Sequence, residues 1–407
     1  MPQPFLPYGQ QNITEEDIEA VVTALKQPFL TTGPKVGEFE DAFSNCVGAS
    51  HSIAVSNGTA AIQLACLALG VQPGDCVLTP SMSFIASTNG AVYCGAVPEF
   101  MDCDPDSGLI TPETFVAAAD RAEASGKTAK VAIIVHINGE HADMAGISRE
   151  AAKRNIALIE DSCHALGTTF KDHEGNECGV GACRYSAFST FSTHPVKTIT
   201  TGEGGLVTTG DAELAKKINR LRNHGMERNA ANFMRPELAL DRDGNPNPWY
   251  YEIQSLGYNY RLTDIASALG LSQLSRMPQI ADLRRRLVEQ YDSLFAQSDL
   301  PLAVIPHQPD TDPVRHLYPV LMDFAGLGIE KSRFVNELRE KGIGSQVHYV
   351  PAHFHPLYSQ GKSGFNLPGS ETYYKKVLSL PLYPELNPSD IERVVGTVGD
   401  TIAALRT

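Results

Sequence analysis

Lys197 stands in the run Phe191-Ser192-Thr193-His194-Pro195-Val196-Lys197, which continues as Thr198-Ile199-Thr200-Thr201-Gly202-Glu203-Gly204-Gly205. Apart from the lysine, the segment carries one formal charge, Glu203. A lysine among Phe, Thr, Pro, Val and Ile is a candidate for partial burial, and burial lowers an amine's pKa toward the range where it attacks a carbonyl. That is the chemistry of a Schiff-base lysine. A lysine taken alone is more often a surface residue whose stem lies along apolar groups, so the reading depends on what else the chain supplies. Asp161 ends the apolar strand-like run Ala157-Leu158-Ile159-Glu160. A carboxylate at that place either caps the next turn or pairs with a protonated heterocyclic nitrogen, since ligands of open α/β sheets bind at the carboxyl ends of strands. His164 follows three residues later and can reach the same ligand from a tight turn. Asn57-Gly58-Thr59 turns the strand-like His51–Ser56 directly into the helical run Ala60–Leu69. Free N–H groups and the positive dipole end at such a helix start make an anion site, although many such turns bind nothing. Phe84, in Ser81–Asn89, is either core or an aromatic placed to stack on a planar ring.

These groups need a scaffold. Strands at His51–Ser56, Asp75–Pro80, Ala96–Asp102, Lys130–Val135 and Ala157–Asp161 alternate with helices over roughly the first 210 residues, which indicates an α/β fold on a mostly parallel sheet. Helices open the chain at Thr14–Lys26 and Val36–Val47, with the turn-rich Phe29-Leu30-Thr31-Thr32-Gly33-Pro34 between them. Residues 227–250 form a polar insert of little periodicity, read as a partly ordered flap. A helix at Ile265–Leu274 and a long one at Met277–Gln297 lead to an α+β tail. That tail has strands at Arg315–Met322 and Ser345–Val350, a helix at Lys331–Lys341 and a last helix from Ser389. The expected division is a large domain, 1–270, and a smaller C-terminal domain, 271–407.

A chain of 407 residues exceeds what one core usually holds, in keeping with two domains. Its net charge of −14, without a basic stripe, argues against nucleic-acid binding and a membrane-surface role. No apolar run is long enough to span a bilayer, and Met1-Pro2-Gln3-Pro4 lacks the features of an export signal. The eight cysteines form no CxxC pair. They read as reduced core residues of a cytoplasmic protein, with no metal site expected.

The chain resembles the DegT/DnrJ/EryC/StrS sugar aminotransferases, fold-type-I pyridoxal-phosphate enzymes, from Pro7-Tyr8-Gly9 to Leu380-Pro381-Leu382-Tyr383-Pro384. The likeness is carried by His194-Pro195-Val196-Lys197 with Thr200–Gly205, by Asn223-His224-Gly225-Met226, by Trp249-Tyr250-Tyr251 leading to Leu256–Arg261, and by Gln346-Val347-His348-Tyr349. The resemblance implies a large domain with a mostly parallel seven-stranded sheet between helices, and a smaller α+β domain. It implies pyridoxal 5'-phosphate on Lys197, Asp161 on its ring nitrogen, His164 near its phenolic oxygen, and Gly58, Thr59 and Ser192 around its phosphate. Phe84 would stack on the ring, and Asn259 would reach the phosphate in a neighbouring subunit of a homodimer. Tyr8, Phe29, Leu30, Thr31, Val347, His348, Tyr349 and Val350 match nucleotide-sugar positions. The implied reaction moves the amino group of L-glutamate to C4 of a UDP-linked 4-keto-6-deoxy-N-acetylhexosamine, as in pseudaminic acid synthesis. Another 4- or 3-keto sugar, of perosamine or bacillosamine type, is the alternative, and a silent pyridoxal-phosphate-binding regulator is the reading from another class. A dehydratase relative would carry His in place of Lys197. Three places depart from the usual pattern: Asn57-Gly58-Thr59, Thr193 before His194, and Ile137-Asn138-Gly139-Glu140.

Overall fold

Short apolar runs bounded by Gly, Pro or Asp become buried strands, and the longer amphipathic runs between them become covering helices. The computed structural model describes residues 4–359 and 365–406. Residues 1–3, 360–364 and 407 lie outside the described residues. Seven strands, β1 (His51–Val55), β2 (Cys76–Pro80), β3 (Val97–Met101), β4 (Ala129–Val135), β5 (Ala157–Asp161), β6 (Phe188–Ser192) and β7 (Gly205–Thr209), form one sheet. Their order is β1-β7-β6-β5-β4-β2-β3. Neighbours from β6 through to β3 are parallel, and β7 runs antiparallel to both β1 and β6.

The period of two along each strand divides the core. Leu78, Ala132, Ile134 and Leu158 meet Phe115 and Ile147 from one helix layer. Val77, Val131, Ile133, Ile159, Phe188 and Val207 meet Ile62, Leu64 and Ile218 from the other. A sheet apolar on both faces has its polar ends left for chemistry, which is where Asp161 and Ser192 fall.

The helix Met277–Ala296 carries Leu287, Tyr291 and Phe295 into a second core. There they meet a smaller sheet of β8 (Leu302–Val304), β9 (Tyr318–Met322) and β10 (Val377–Leu380), in the order β8-β9-β10. Tyr291 and Tyr318 stack with centroids 4.2 Å apart. The N-terminal segment joins this core: Leu6 is buried in it and its N–H donates to the Gly342 carbonyl at 2.9 Å.

The structure corrects two strand expectations. Ser345–Val350 is not a strand. Only Gln346 pairs, with Ser379, and Pro351 then supplies no N–H to extend the ladder. The third strand of the small sheet is β10 instead, an apolar run that the sequence reading passed over. The strand expected at Arg315–Met322 begins only at Tyr318, because the His316 N–H is bonded to the Asn138 carbonyl at 3.0 Å. The insert is an ordered excursion. Met226–Glu227 pairs with Glu252–Ile253 at its neck, and the Glu252 carboxylate accepts from the N–H groups of Met234 and Arg235, from Gln254 and from the Tyr250 hydroxyl.

His307 ties the two cores together. Its Nδ1 lies 3.2 Å from Glu140 Oε1 and its Nε2 3.6 Å from Asp292 Oδ2. The two acids, Asp292 foremost, push its pKa up to about 9 against the opposing effect of burial. A raised folded-state pKa means that the stabilisation is complete below the ordinary value of 6.5 and is lost as pH rises through about 9. The melting temperature should therefore fall between neutral pH and about 10, and fall less in His307→Gln. Equal slopes in the two proteins would contradict this.

Candidate active site

Asp161 and Ser192 end the adjacent parallel strands β5 and β6, whose register pairs Asp161 with Thr190. The chain then loops from Thr193 to Gly204 before returning as β7, and Lys197 stands in that loop. The hydroxyl residues around the lysine close the loop's neck. Thr193 N–H donates to the Gly204 carbonyl at 2.9 Å, and Thr201 N–H to the Thr193 carbonyl at 2.9 Å. The Thr193 and Thr201 hydroxyls bond each other at 2.6 Å, and Thr200 donates to the Thr193 carbonyl at 3.2 Å. The Lys197 N–H closes a turn on the His194 carbonyl at 2.8 Å.

A cleft of about 630 Å³ opens at these strand ends. Of the residues singled out in the sequence, Lys197, Asp161, His164, Ser192, Gly58, Thr59, Phe84, Tyr8, His348 and Tyr349 line it. Phe29, Leu30, Thr31, Asn259, Val347 and Val350 do not. The first three are exposed and tied to the helix Asp264–Ser275, whose Asp264 N–H donates to the Leu30 carbonyl at 3.0 Å. Asn259 pairs with Asn223 beside a separate cleft, Val347 packs between the two cores, and Val350 is exposed.

Burial lowers the Lys197 pKa below its ordinary value, with Asp161 opposing. Asp161 is itself buried, accepting from the Ser87 hydroxyl at 2.6 Å and the Cys163 N–H at 3.2 Å. Ser83 bonds Ser87 in turn, at 2.6 Å. Three imidazoles surround the amine. Burial, then the nearby lysine, pushes His164 and His316 well below their ordinary value and His348 down to about 3. Apart from histidines, the formally charged side chains of the lining are Lys197, Asp161 and Glu203.

The residues fit pyridoxal phosphate. The helix Gly58–Ala68 points its N-terminus into the cleft, and Asn57 caps only Ala60 N–H, at 2.8 Å. Among the described residues, the N–H groups of Gly58 and Thr59 have no acceptor, which leaves two donors beside the Ser192 hydroxyl for a phosphate. A Cβ on Gly58 would stand 3.0 Å from Ser192 Cβ and 3.3 Å from Cys163 Sγ, so a side chain here would press on the floor of the cleft. Phe84 is 57% exposed at the mouth, a free face for a planar ring, and Asp161 offers a carboxylate for a protonated ring nitrogen.

Sequence reasoning missed Ser87, Ser83 and His316. The four-residue spacing of the two serines was visible, but the helix there begins only at Ala86 and nothing marked them as partners of Asp161. His316 hid within the run taken for a strand. One buried His/Glu group exists among the described residues, His136, His141 and Glu160. His136 and Glu160 are bonded to each other, whereas the buried Nε2 of His141 has no hydrogen-bond partner among the described residues. His136 accepts Ala142 N–H on Nδ1 and bonds Glu160 through Nε2 at 2.8 Å. His141 stacks on Phe170 at 4.0 Å.

A Cβ at position 204 would collide with the hydroxyl oxygens of Thr201 and Thr193. Gly204→Ala should cost about 1–3 kcal/mol of stability and displace Lys197 from its loop, which chemical denaturation and cofactor absorbance would read. Unchanged stability and absorbance would show that the neck does not hold the lysine.

The chain matches the DegT/DnrJ/EryC1/StrS aminotransferase family over residues 11–399. It is 35% identical over 402 residues to the spore coat polysaccharide biosynthesis protein SpsC of Bacillus subtilis (strain 168), covering 98% of this chain and 97% of that one. The PLP form of a putative sugar aminotransferase, Spr1654 of Streptococcus pneumoniae, superposes with a TM-score of 0.86 at 28% identity, covering 99% and 100% of the two chains. Helicobacter pylori PseC, an aminotransferase of pseudaminic acid biosynthesis, gives 0.85 at 27% identity over 98% and 100%. On these matches, the chain belongs to the DegT/DnrJ/EryC1/StrS aminotransferase family of PLP-dependent sugar aminotransferases.

Proposed function

We propose that this chain transfers the amino group of L-glutamate to C4 of a UDP-linked 4-keto-6-deoxy-N-acetylhexosamine, giving the 4-amino-4,6-dideoxy sugar that leads toward pseudaminic acid. The observation that carries the reading is the meeting, in one cleft, of a desolvated lysine amine, a buried carboxylate and two open helix N–H groups. The likeness to PseC over nearly the whole length supports the sugar. The greater identity to SpsC favours a second reading, another nucleotide keto sugar destined for a surface polysaccharide.

When bound, pyridoxal phosphate supplies an electron sink that makes the hydrogen on an amine-bearing carbon acidic. The chain's residues do the rest. Lys197 would hold the cofactor aldehyde covalently at rest. Once displaced by an incoming amine, its Nζ would take that proton and return it, and burial favours the unprotonated amine that this needs. Asp161, fixed by Ser87 and by the Cys163 N–H, would keep the ring nitrogen protonated by opposite charge. Gly58, Thr59 and Ser192 would grip the phosphate, and Phe84 would hold the ring. Tyr8 and His348, with ring centroids 5.3 Å apart, would meet the sugar nucleotide.

The reading includes a cytoplasmic homodimer with shared sites and a division near residue 270. Asn259, Phe29, Leu30 and Thr31 lie on the surface outside their own cleft, which suits residues that act in a partner's site. Among the described residues, no helix is long and apolar enough to cross a membrane.

Purified protein with glutamate and a panel of UDP-, GDP- and dTDP-4-keto-6-deoxy sugars should aminate the UDP-N-acetylhexosamine, with the new centre assigned by NMR. Preferred turnover of a GDP or dTDP sugar would overturn the substrate. Lys197→Ala should lose turnover by orders of magnitude while staying folded. Mixing inactive Asn259→Ala and Lys197→Ala subunits should restore one site per heterodimer. No recovery would mean that the sites are not shared.

A further inference from the structure

His164 has both ring nitrogens engaged, and the partners fix which one carries the proton. The backbone N–H of Asn138 donates to Nδ1 at 3.2 Å, so Nδ1 must present a lone pair. Burial, then the Lys197 and His348 neighbours, keeps the ring neutral, so the single proton sits on Nε2. Nε2 lies 3.0 Å from the Tyr349 hydroxyl. Nε2–H therefore donates and the Tyr349 oxygen accepts. Tyr349 keeps its own proton, because burial and then Asp161 push its pKa well above the ordinary value. Among the described residues no other group accepts that proton, and Tyr349 lines the cleft with its ring 5.8 Å from Phe84.

The donor that sets this polarity is itself held. Asn138 sits in a left-handed turn (φ 64°) within Ile137–Gly139. Its carbonyl accepts His316 N–H at 3.0 Å, and its side-chain amide donates to Tyr373 at 3.0 Å. A Cβ on Gly139 would meet the Val314 carbonyl at 2.6 Å, so the turn is packed tightly from below. The stretch Ile137-Asn138-Gly139-Glu140 is one of the three places where the sequence departs from the usual family pattern.

We propose that Asn138 and His164 fix the Tyr349 hydroxyl as a one-way hydrogen-bond donor into the cleft, so that Tyr349 selects a ligand with an acceptor oxygen, the ring carbonyl of a keto sugar. The ligand's identity rests on the function proposed above. His164 is then a positioning residue, and Tyr349 is the group that touches substrate. Glutamine at 164 would preserve the arrangement, since its amide carries one acceptor for Asn138 N–H and one donor for Tyr349. Leucine would abolish it.

The test is calorimetry on pyridoxamine-phosphate-loaded protein in a Lys197→Ala background, which stops turnover, with UDP and with the UDP-linked 4-keto sugar. Tyr349→Phe and His164→Leu should each lower the gain of the keto sugar over UDP about tenfold, with no further loss in the double variant. His164→Gln should bind like the parent. Nitrogen NMR of the otherwise unaltered protein should show Nδ1 of His164 bare and Nε2 protonated, a signature that a merely structural histidine need not give. A parent that binds UDP but gains nothing from the keto sugar overturns the substrate reading and the ligand assigned here with it. A parent that gains, with Tyr349→Phe gaining equally, overturns this inference alone. A protonated Nδ1 overturns it as well.

Discussion

The Lys197 amine is held where burial disfavours its charge, and the carboxylate that favours it, Asp161, ends the neighbouring parallel strand. The two effects oppose each other, and desolvation is the larger. A lysine in water would be protonated and inert as a nucleophile. One buried without a nearby acid would leave a cofactor's ring nitrogen without a counter-charge. The sheet resolves this by placing Asp161 at the end of one strand and Lys197 in the loop that leaves the next, on strands that cannot drift because each is buried on two faces.

From that constraint the rest follows in layers. The loop carrying Lys197 is stapled at its neck by threonine hydroxyls and by a glycine that admits no side chain. Asp161 is aimed by a serine and a backbone N–H, and a second serine aims the first. The imidazoles of His164, His316 and His348 fill the wall without adding charge, because burial keeps them neutral. An acidic protein thus presents, to an anionic ligand, a cleft whose donors are N–H and O–H groups instead of a cluster of cations.

What the sequence made legible was local. The strand–turn–helix at Asn57–Thr59, the carboxylate ending β5 and the lysine in its apolar run are each contiguous, and each side chain found its place in the cleft. What it hid was non-local or lacked periodicity. β10 is four residues long, and it is a strand only because β9 lies beside it. Ser345–Val350 has strand-like composition but pairs at a single residue. Ser87 lies 74 positions from Asp161 and signals nothing until the fold brings them together. Asn259 and Phe29–Thr31 could be named from family likeness but not placed, since a single chain leaves them on its surface.

The most direct measurement is borohydride reduction of the cofactor-loaded protein followed by peptide mapping. A phosphopyridoxyl group should appear on the peptide spanning Thr193 to Gly204, at position 197 alone. An adduct on another lysine, or none in a sample shown by absorbance to hold cofactor, would contradict it.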